Sequence, residues 1–313
     1  FTDLNLAKAR MAADRGDMRA LPTLESLVAD EAASPLMRAS VIEQMSNLGS
    51  RQLPTAAAML LRAENPVLRT SAVRSMRAMP PTQRYLMLRP FIDDVSLSVR
   101  MEVAQLLAGV PESELRPKDI AELNPLFAEY LAVQNDHLDM PSVQLQLANF
   151  WLDRGEAGKA EAALTEALLL NPQLEPALIN LVDLLRRNGN NTKASQLLSD
   201  AIQQSPDAGT LWFSQGLHQI RLGDTKAGLA SLKRAAELED EGSRHRYVYA
   251  IALNDTGSKS EAMSVLEALN SRHPGQADVL NGLLAFARDA GDRRRYEQYR
   301  TQLVTVLQAT GAR

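Results

Sequence analysis

Few side chains in this sequence have the types and spacing that catalysis or metal binding requires. No histidine is followed three or four residues later by a second possible ligand, so we expect each one to be solvated or to cap a helix. Asp93 and Asp94 could form an acid pair, but we interpret them as carboxylates that cap the next helix and pair with the arginine of their repeat, Arg100. Glycine-rich phosphate loops, nucleophile elbows and zinc-protease motifs are missing. The sequence therefore predicts no enzyme, no catalytic residue, no metal site and no cofactor. The four histidines are His137, His218, His245 and His273.

The composition indicates packed helices. The 313 residues are 45% hydrophobic but only 4% aromatic, which favours helices rich in Ala, Leu and Met over a β-sandwich or barrel. The absence of cysteine excludes disulfides, thiolate metal sites and covalent haem attachment within these residues. A net charge of −4 gives no general attraction to nucleic acid, and no apolar run approaches the roughly 20 residues of a membrane span. We expect neither nucleic-acid binding nor membrane insertion.

The C-terminal half of the chain repeats every 34 residues. A glycine recurs in strict register, and five residues after four of the five glycines stands another small residue. Such a glycine can take the left-handed conformation that ends a helix, and the small residue lets the next helix pack closely against it. The spacing predicts two antiparallel helices per unit. The glycines are Gly155, Gly189, Gly223, Gly257 and Gly291; the small residues are Ala160, Ala194, Gly228 and Ala262; Pro172, Pro206 and Pro274 close three units, with Asp240 in the same place of a fourth.

This pattern resembles the tetratricopeptide (TPR) repeat. The resemblance covers residues 141–310 and divides them into units 141–174, 175–208, 209–242, 243–276 and 277–310. The fifth unit has Tyr296 and Arg300 where the others have core residues, so we interpret it as a solvated C-terminal cap. The resemblance implies an all-α solenoid of antiparallel helix pairs that forms a right-handed superhelix.

The N-terminal residues have a different period. Arg38, Arg69 and Arg100 are 31 residues apart, and each has one apolar stripe before it and another after it. Two helices per unit with an arginine early in the second resemble HEAT repeats, so residues 1–112 are predicted to form a HEAT-like block. Residues 113–140 are rich in acidic side chains but also carry apolar ones. We therefore predict that they form a packed connector helix and not a flexible linker.

The TPR resemblance also implies where a partner would bind. In TPR folds the first helix of each unit lines a concave groove, and the groove positions of this sequence carry apolar residues flanked by arginines. We predict that this groove binds a protein or peptide segment with apolar anchors and acidic residues. Two alternatives stay open: the apolar residues could only pack between neighbouring first helices, and the arginines could only be solvated. The predicted groove residues are Leu145, Asn149, Ile179, Asp183, Arg186, Arg187, Phe213, Leu217, Arg221, Arg244, Tyr247 and Ile251.

The order of the two blocks, with the TPR segments at residues 246–250 and 266–274, resembles the C-terminal region of bacterial multihaem c-type cytochromes. Those proteins are exported, so the resemblance implies a periplasmic or otherwise exported location, with the cytoplasm as the alternative. The chain begins at Phe1, from which we expect an N-terminus made by processing and a longer parent polypeptide. Three functions stay open: a non-catalytic protein-interaction scaffold, a structural or docking tail of a larger exported polypeptide, and an accessory ligand-binding domain of a transferase. The sequence makes no prediction of the oligomeric state.

Overall fold

The computed structural model describes residues 3–238 and 244–309. All regular elements in these two ranges are helical, and most helices contact a neighbour in the sequence, which confirms the predicted all-α class. Within the same ranges, no helix combines the length and the apolar character that crossing a bilayer requires. Asp240 and Phe1 lie outside the described residues. The helices are α1 (Asp3–Asp14), α2 (Leu21–Ala29), α3 (Pro35–Asn47), α4 (Leu53–Leu60), α5 (Pro66–Ser75), α6 (Pro81–Leu88), α7 (Leu97–Ala108), α8 (Pro117–Asn135), α9 (Pro141–Asp153), α10 (Ala157–Leu170), α11 (Glu175–Arg187), α12 (Asn191–Gln204), α13 (Gly209–Arg221), α14 (Thr225–Leu238), α15 (Arg244–Asp255), α16 (Lys259–Arg272), α17 (Ala277–Asp289) and α18 (Arg293–Ala309).

The contacts between helices divide the chain into two compact units. The first unit combines the described residues up to Leu24 with those from Asn191 onwards, and the second is Glu25–Asn190. This division follows packing, whereas the boundaries 1–112, 113–140 and 141–310 follow the type of repeat. Those boundaries therefore stay predictions.

The helices from α9 to α18 alternate at the predicted 34-residue interval, and contacts join α9 to α10, α13 to α14, α15 to α16 and α17 to α18. The five glycines in register lie between the two helices of each pair, and their φ angles run from 69° to 91°. Residues with a side chain rarely adopt this left-handed backbone, so the sequence pattern marked each turn correctly. At the small position of the second helix, Ala160, Ala194 and Ala262 are fully buried.

The first unit contains one especially close helix crossing, between α13 and α14. A Cβ atom on Gly228 would lie 2.5 Å from Ile220 Cγ1 and 3.0 Å from the carbonyl oxygen of Gly216. A Cβ atom on Gly216 would lie 2.9 Å from the carbonyl oxygen of Gly228. The two backbones touch here because both crossing residues are glycine.

The N-terminal residues pack against the C-terminal repeats within the first unit. Arg19 Nη2 donates a hydrogen bond of 3.0 Å to the carbonyl oxygen of Pro274, and its guanidinium also binds Asp17. The Met18 N–H points to the carbonyl oxygen of Gly275 at 3.4 Å. The HEAT-like prediction placed residues 1–24 with residues up to 112, so these contacts are a finding that the repeat pattern did not suggest.

A buried arginine, Arg69, and a half-buried one, Arg100, hold the helices of the second unit in register. Arg69 Nη1 donates to the carbonyl oxygen of Ala63 at 2.8 Å, and Arg100 Nη1 donates to that of Asp94 at 2.6 Å. The remaining nitrogens of Arg69 bind the Asp94 carboxylate at 2.8 and 2.9 Å, and Arg100 binds Glu129 in the same manner. The Asp94 carboxylate therefore pairs with Arg69 of the preceding repeat, whereas the sequence suggested Arg100, and Asp94 has a structural role.

The acid-rich segment contains α8, which packs against α7 and α9. Its Tyr130 is fully buried, and the Tyr130 ring stacks on the Phe150 ring of α9 at a centroid distance of 4.9 Å. Burial raises the pKa of Tyr130 to about 12, so its hydroxyl stays neutral and bonds to the Gln105 amide at 2.9 Å. Helix α8 thus contacts both the last 31-residue repeat, through α7, and the first TPR-like pair, through α9.

Candidate functional site

In the first unit, the predicted groove positions lie on α13 and α15. Phe213 is only 7% exposed, and its ring stacks on the His245 imidazole at a centroid distance of 4.6 Å. The Arg244 guanidinium lies 5.6 Å from the centre of the Phe213 ring. Phe213 therefore packs between two neighbouring first helices, which is the alternative that the sequence left open, and the ring offers a partner little surface.

The other apolar groove residues of the first unit are half-buried. Leu217, Tyr247 and Ile251 all pack on the core of this unit with part of each side chain still exposed. Burial, and then the nearby Asp278 carboxylate, raise the pKa of Tyr247, so the phenol keeps its proton and can donate a hydrogen bond at neutral pH. Arg221 is exposed and forms no ion pair with any described residue. These side chains can serve the core and a partner together.

In the second unit, the predicted groove positions lie on α9 and α11. Asn180 Nδ2 donates a hydrogen bond of 2.8 Å to Asn149 Oδ1, which links two neighbouring first helices through their side-chain amides. Asp183 and Arg186 pair along α11 with an N–O distance of 3.4 Å, whereas Arg187 is exposed. The apolar groove residues of this unit, Leu145 and Ile179, are half-buried.

A polar cavity of about 280 Å³ adjoins Asn149 in the second unit. Arg74 lines it and pairs with Glu43 at 2.9 Å and with Glu102 at 3.0 Å. Hydrogen bonding to Glu102 is the main reason that the pKa of Arg74 is raised, so this guanidinium is a permanent cation of the cavity. The lining residues come from α5, α7 and α9 and the turn after α5: Arg74, Arg77, Glu102, Gln105, Gln146, Asn149, Phe150 and Asp153.

The sequence did not predict this cavity because its walls belong to two repeat types. Arg74 and Glu102 stand in the 31-residue repeats, whereas Gln146 and Asn149 stand in the first TPR-like pair. Nothing in either period indicates that the two sets meet. The two arginines and two carboxylates of the lining balance each other in charge, so the amides decide which ligand groups can be bound.

The histidines do not form a chemical site. Among the described residues, no group of three or more His, Cys, Asp or Glu side chains could hold a metal ion. The expectation of a solvated or capping residue is wrong for His218, which is 2% exposed and lies with Nε2 at 2.9 Å from Ser195 Oγ. Because Ser195 belongs to α12 and His218 to α13, the bond joins two packed helices.

Sequence models of the tetratricopeptide repeat match residues 125–213 and 213–277. The chain therefore contains TPR repeats, a fold that commonly mediates protein–protein interactions. The first match begins inside α8, which the sequence had assigned to the connector. The comparisons show neither the HEAT-like block nor a relation to multihaem cytochromes, and both stay predictions.

Several solved structures share the fold at low sequence identity. MamA is 15% identical, with 55% of this chain and 93% of MamA covered and a TM-score of 0.45. YrrB, described as a TPR protein with an unusual peptide-binding site, is 19% identical, with coverages of 56% and 91% and a TM-score of 0.41. PilF of Pseudomonas aeruginosa is 17% identical, with coverages of 65% and 90% and a TM-score of 0.44. These likenesses concern the fold alone. A search of curated proteins found no match.

Proposed function

We propose that this chain is a non-catalytic scaffold whose TPR helices bind a segment of a partner protein. The supporting observation is the hydrogen-bonded amide pair of Asn149 and Asn180, at the edge of a polar cavity that Gln146 also lines. Each side-chain amide has both donors and an acceptor, so one of each stays available after a single bond. Such groups match the N–H and C=O groups of an extended main chain.

The charges near these first helices favour acidic residues in the partner. Arg77 and Arg187 of the second unit are exposed and form no ion pair with any residue that the structure describes. Exposed cations of this kind chiefly accelerate the encounter with an acidic partner and set its orientation, and they add little affinity. In the same unit, the half-buried Leu145 and Ile179 supply the apolar contacts. The proposed partner is thus a segment with acidic residues and apolar anchors.

The amide pair gives the direct test. A partner captured from the source organism is purified, and its dissociation constant is measured by calorimetry with wild type and with the triple variant Asn149→Ala/Asn180→Ala/Gln146→Ala. Because a net hydrogen bond is worth about 1 kcal/mol, we expect the triple variant to bind at least about tenfold more weakly. The matched control replaces the exposed amides Gln173, Asn188 and Gln203 by alanine.

Binding within twofold of wild type by a folded triple variant would rule out the amide surface. Phe213 is left intact in this design because its buried ring supports the packing of α13 on α15. We also propose that the protein is exported and associated with a cytochrome. Haem-binding motifs encoded upstream of Phe1 in the gene would support this proposal. The geometry gives no specific support to a docking tail or to a transferase accessory domain.

A further inference from the structure

Arg38 lacks the ion pair that the arginines at the equivalent places of the next two repeats make. Arg69 and Arg100 each bind a carboxylate from the segment that follows, with N–O distances from 2.6 to 2.9 Å. Arg38 is only 9% exposed, yet it forms no ion pair with any described residue. Its Nε donates one hydrogen bond of 2.9 Å to the carbonyl oxygen of Val28. A cation this buried is costly without a counter-charge.

Residue 63 is the place where the missing carboxylate would stand. Asp94 follows Arg69 by 25 positions, and Ala63 follows Arg38 by the same 25 positions. The backbone has the same register, because Arg69 binds the carbonyl of Ala63 as Arg100 binds that of Asp94. An alanine at this position leaves Arg38 without the acid that Arg69 has in Asp94, whereas Arg100 takes its acid, Glu129, from a position four residues further along.

A cavity of about 770 Å³ adjoins this place. Arg38 and Ala63 both line it, and Arg62 adds a second cation that is exposed and forms no ion pair with the described residues. Glu31 is the single carboxylate among the described residues of the lining, so cations exceed acids by one. The rest of the wall is mostly apolar: Pro54, Thr55, Ala58 and Met59.

We propose that this cavity binds an acidic side chain of a partner protein. The carboxylate of that side chain binds the terminal nitrogens of Arg38, whose Nε is bonded to Val28, and the guanidinium of Arg62, and an adjacent apolar side chain packs on Met59. The surface lies outside residues 125–277, which the TPR models match, so it is a second binding site that does not depend on the amide pair. We therefore expect the bound segment of the partner to contain an acidic residue next to an apolar one.

Substitution of Ala63 tests the site without removing either arginine. Short random peptides displayed on phage are selected on the full chain, and the selected acidic peptides are synthesised for fluorescence anisotropy. Ala63→Asp supplies the missing carboxylate from within, so we expect these peptides to bind it at least about tenfold more weakly than wild type. Ala63→Asn has nearly the same size without the charge, and we expect it to bind within about threefold of wild type.

Changes in the peptide and in Arg62 test the site further. Replacing the acidic residue of a selected peptide by its amide should cost about tenfold on wild type and nothing further on Ala63→Asp. Arg62→Gln should weaken binding, whereas Asn149→Ala/Asn180→Ala should not change it, which separates this site from the amide surface. A selection that yields no acidic peptide, or acidic peptides that bind Ala63→Asp as well as wild type, overturns the proposal.

Discussion

Gly228 provides a sharp test of the helix packing, because sequence and structure predict opposite effects for one substitution. Three other TPR-like pairs have alanine at the equivalent position, and alanine favours a helix over glycine by about 1 kcal/mol. The sequence alone therefore suggests that Gly228→Ala stabilises the protein. The structure places the new Cβ 2.5 Å from Ile220 Cγ1 and 3.0 Å from the carbonyl oxygen of Gly216.

These contacts set the magnitude. Relief of the contact with the Gly216 carbonyl requires backbone movement, because that atom is not on a side chain that can rotate away. Overpacking of a tight core costs about 1–3 kcal/mol, which exceeds the gain of about 1 kcal/mol in helix propensity. We expect Gly228→Ala to lower the free energy of unfolding by about 1 kcal/mol.

Gly158→Ala is the matched control. Gly158 also lies in the first turns of a second helix, α10, and a Cβ atom there would meet no heavy atom within 4 Å. We expect this substitution to stabilise the protein by up to about 1 kcal/mol. The two alanine variants should thus change stability in opposite directions.

The assay is urea unfolding followed by circular dichroism. Because repeats can unfold separately, amide hydrogen exchange in α13 and α14 is measured as well. Faster exchange in those two helices with Gly228→Ala is the expected result. If Gly228→Ala proves as stabilising as Gly158→Ala, the close crossing of α13 and α14 is wrong.

Three further predictions concern other contacts. Asp94→Asn should cost about 3 kcal/mol of unfolding free energy, because it leaves Arg69 buried without its counter-charge. Burial would raise the pKa of Asp94, but hydrogen bonds from Arg69 and Ser96 hold this pKa below 3.8. The wild-type protein should therefore lose the stability of this ion pair as the pH falls below about 3.8. Asp94→Asn should show a flatter acid-unfolding profile in the same pH range. Gly275→Ala should speed hydrogen exchange in residues 5–20, because its Cβ would overlap Asp17 Oδ1. Gly257 has a similar positive φ but open space around it, so Gly257→Ala should leave that segment protected. Ala63→Asp should raise the urea midpoint by restoring a pair for Arg38, with a gain of up to about 1 kcal/mol, whereas Ala63→Asn should not.

The sequence predicted what short-range patterns determine. The glycines at 34-residue spacing identified the turns, because a left-handed backbone is a local requirement that glycine meets best. The arginines at 31-residue spacing identified the second helices of the N-terminal repeats. In both cases a single residue type at a fixed position of the repeat is enough to identify the local structure.

Contacts between distant parts of the chain could not be predicted in this way. Arg19 meets Pro274 across 255 positions, and no periodic pattern links the two residues. The low exposure of Phe213 depends on His245, whose ring stacks on the Phe213 ring. The repeat pattern does not specify which side chain a histidine at the start of a helix will contact. The polar cavity beside Asn149 forms only where two repeat types meet. The missing carboxylate beside Arg38 is recognised only by comparison with Arg69, which binds Asp94 in the structure.

Site-specific photo-cross-linking tests the central claim, that the first helices bind a partner segment, most directly. A photoreactive amino acid is placed at Gln146, on first helix α9 beside the cavity, or at Gln203, on second helix α12; both side chains are exposed glutamines in the wild-type chain. With the purified partner bound, we predict a cross-link from position 146 and none from position 203. A cross-link from position 203 alone would contradict the account.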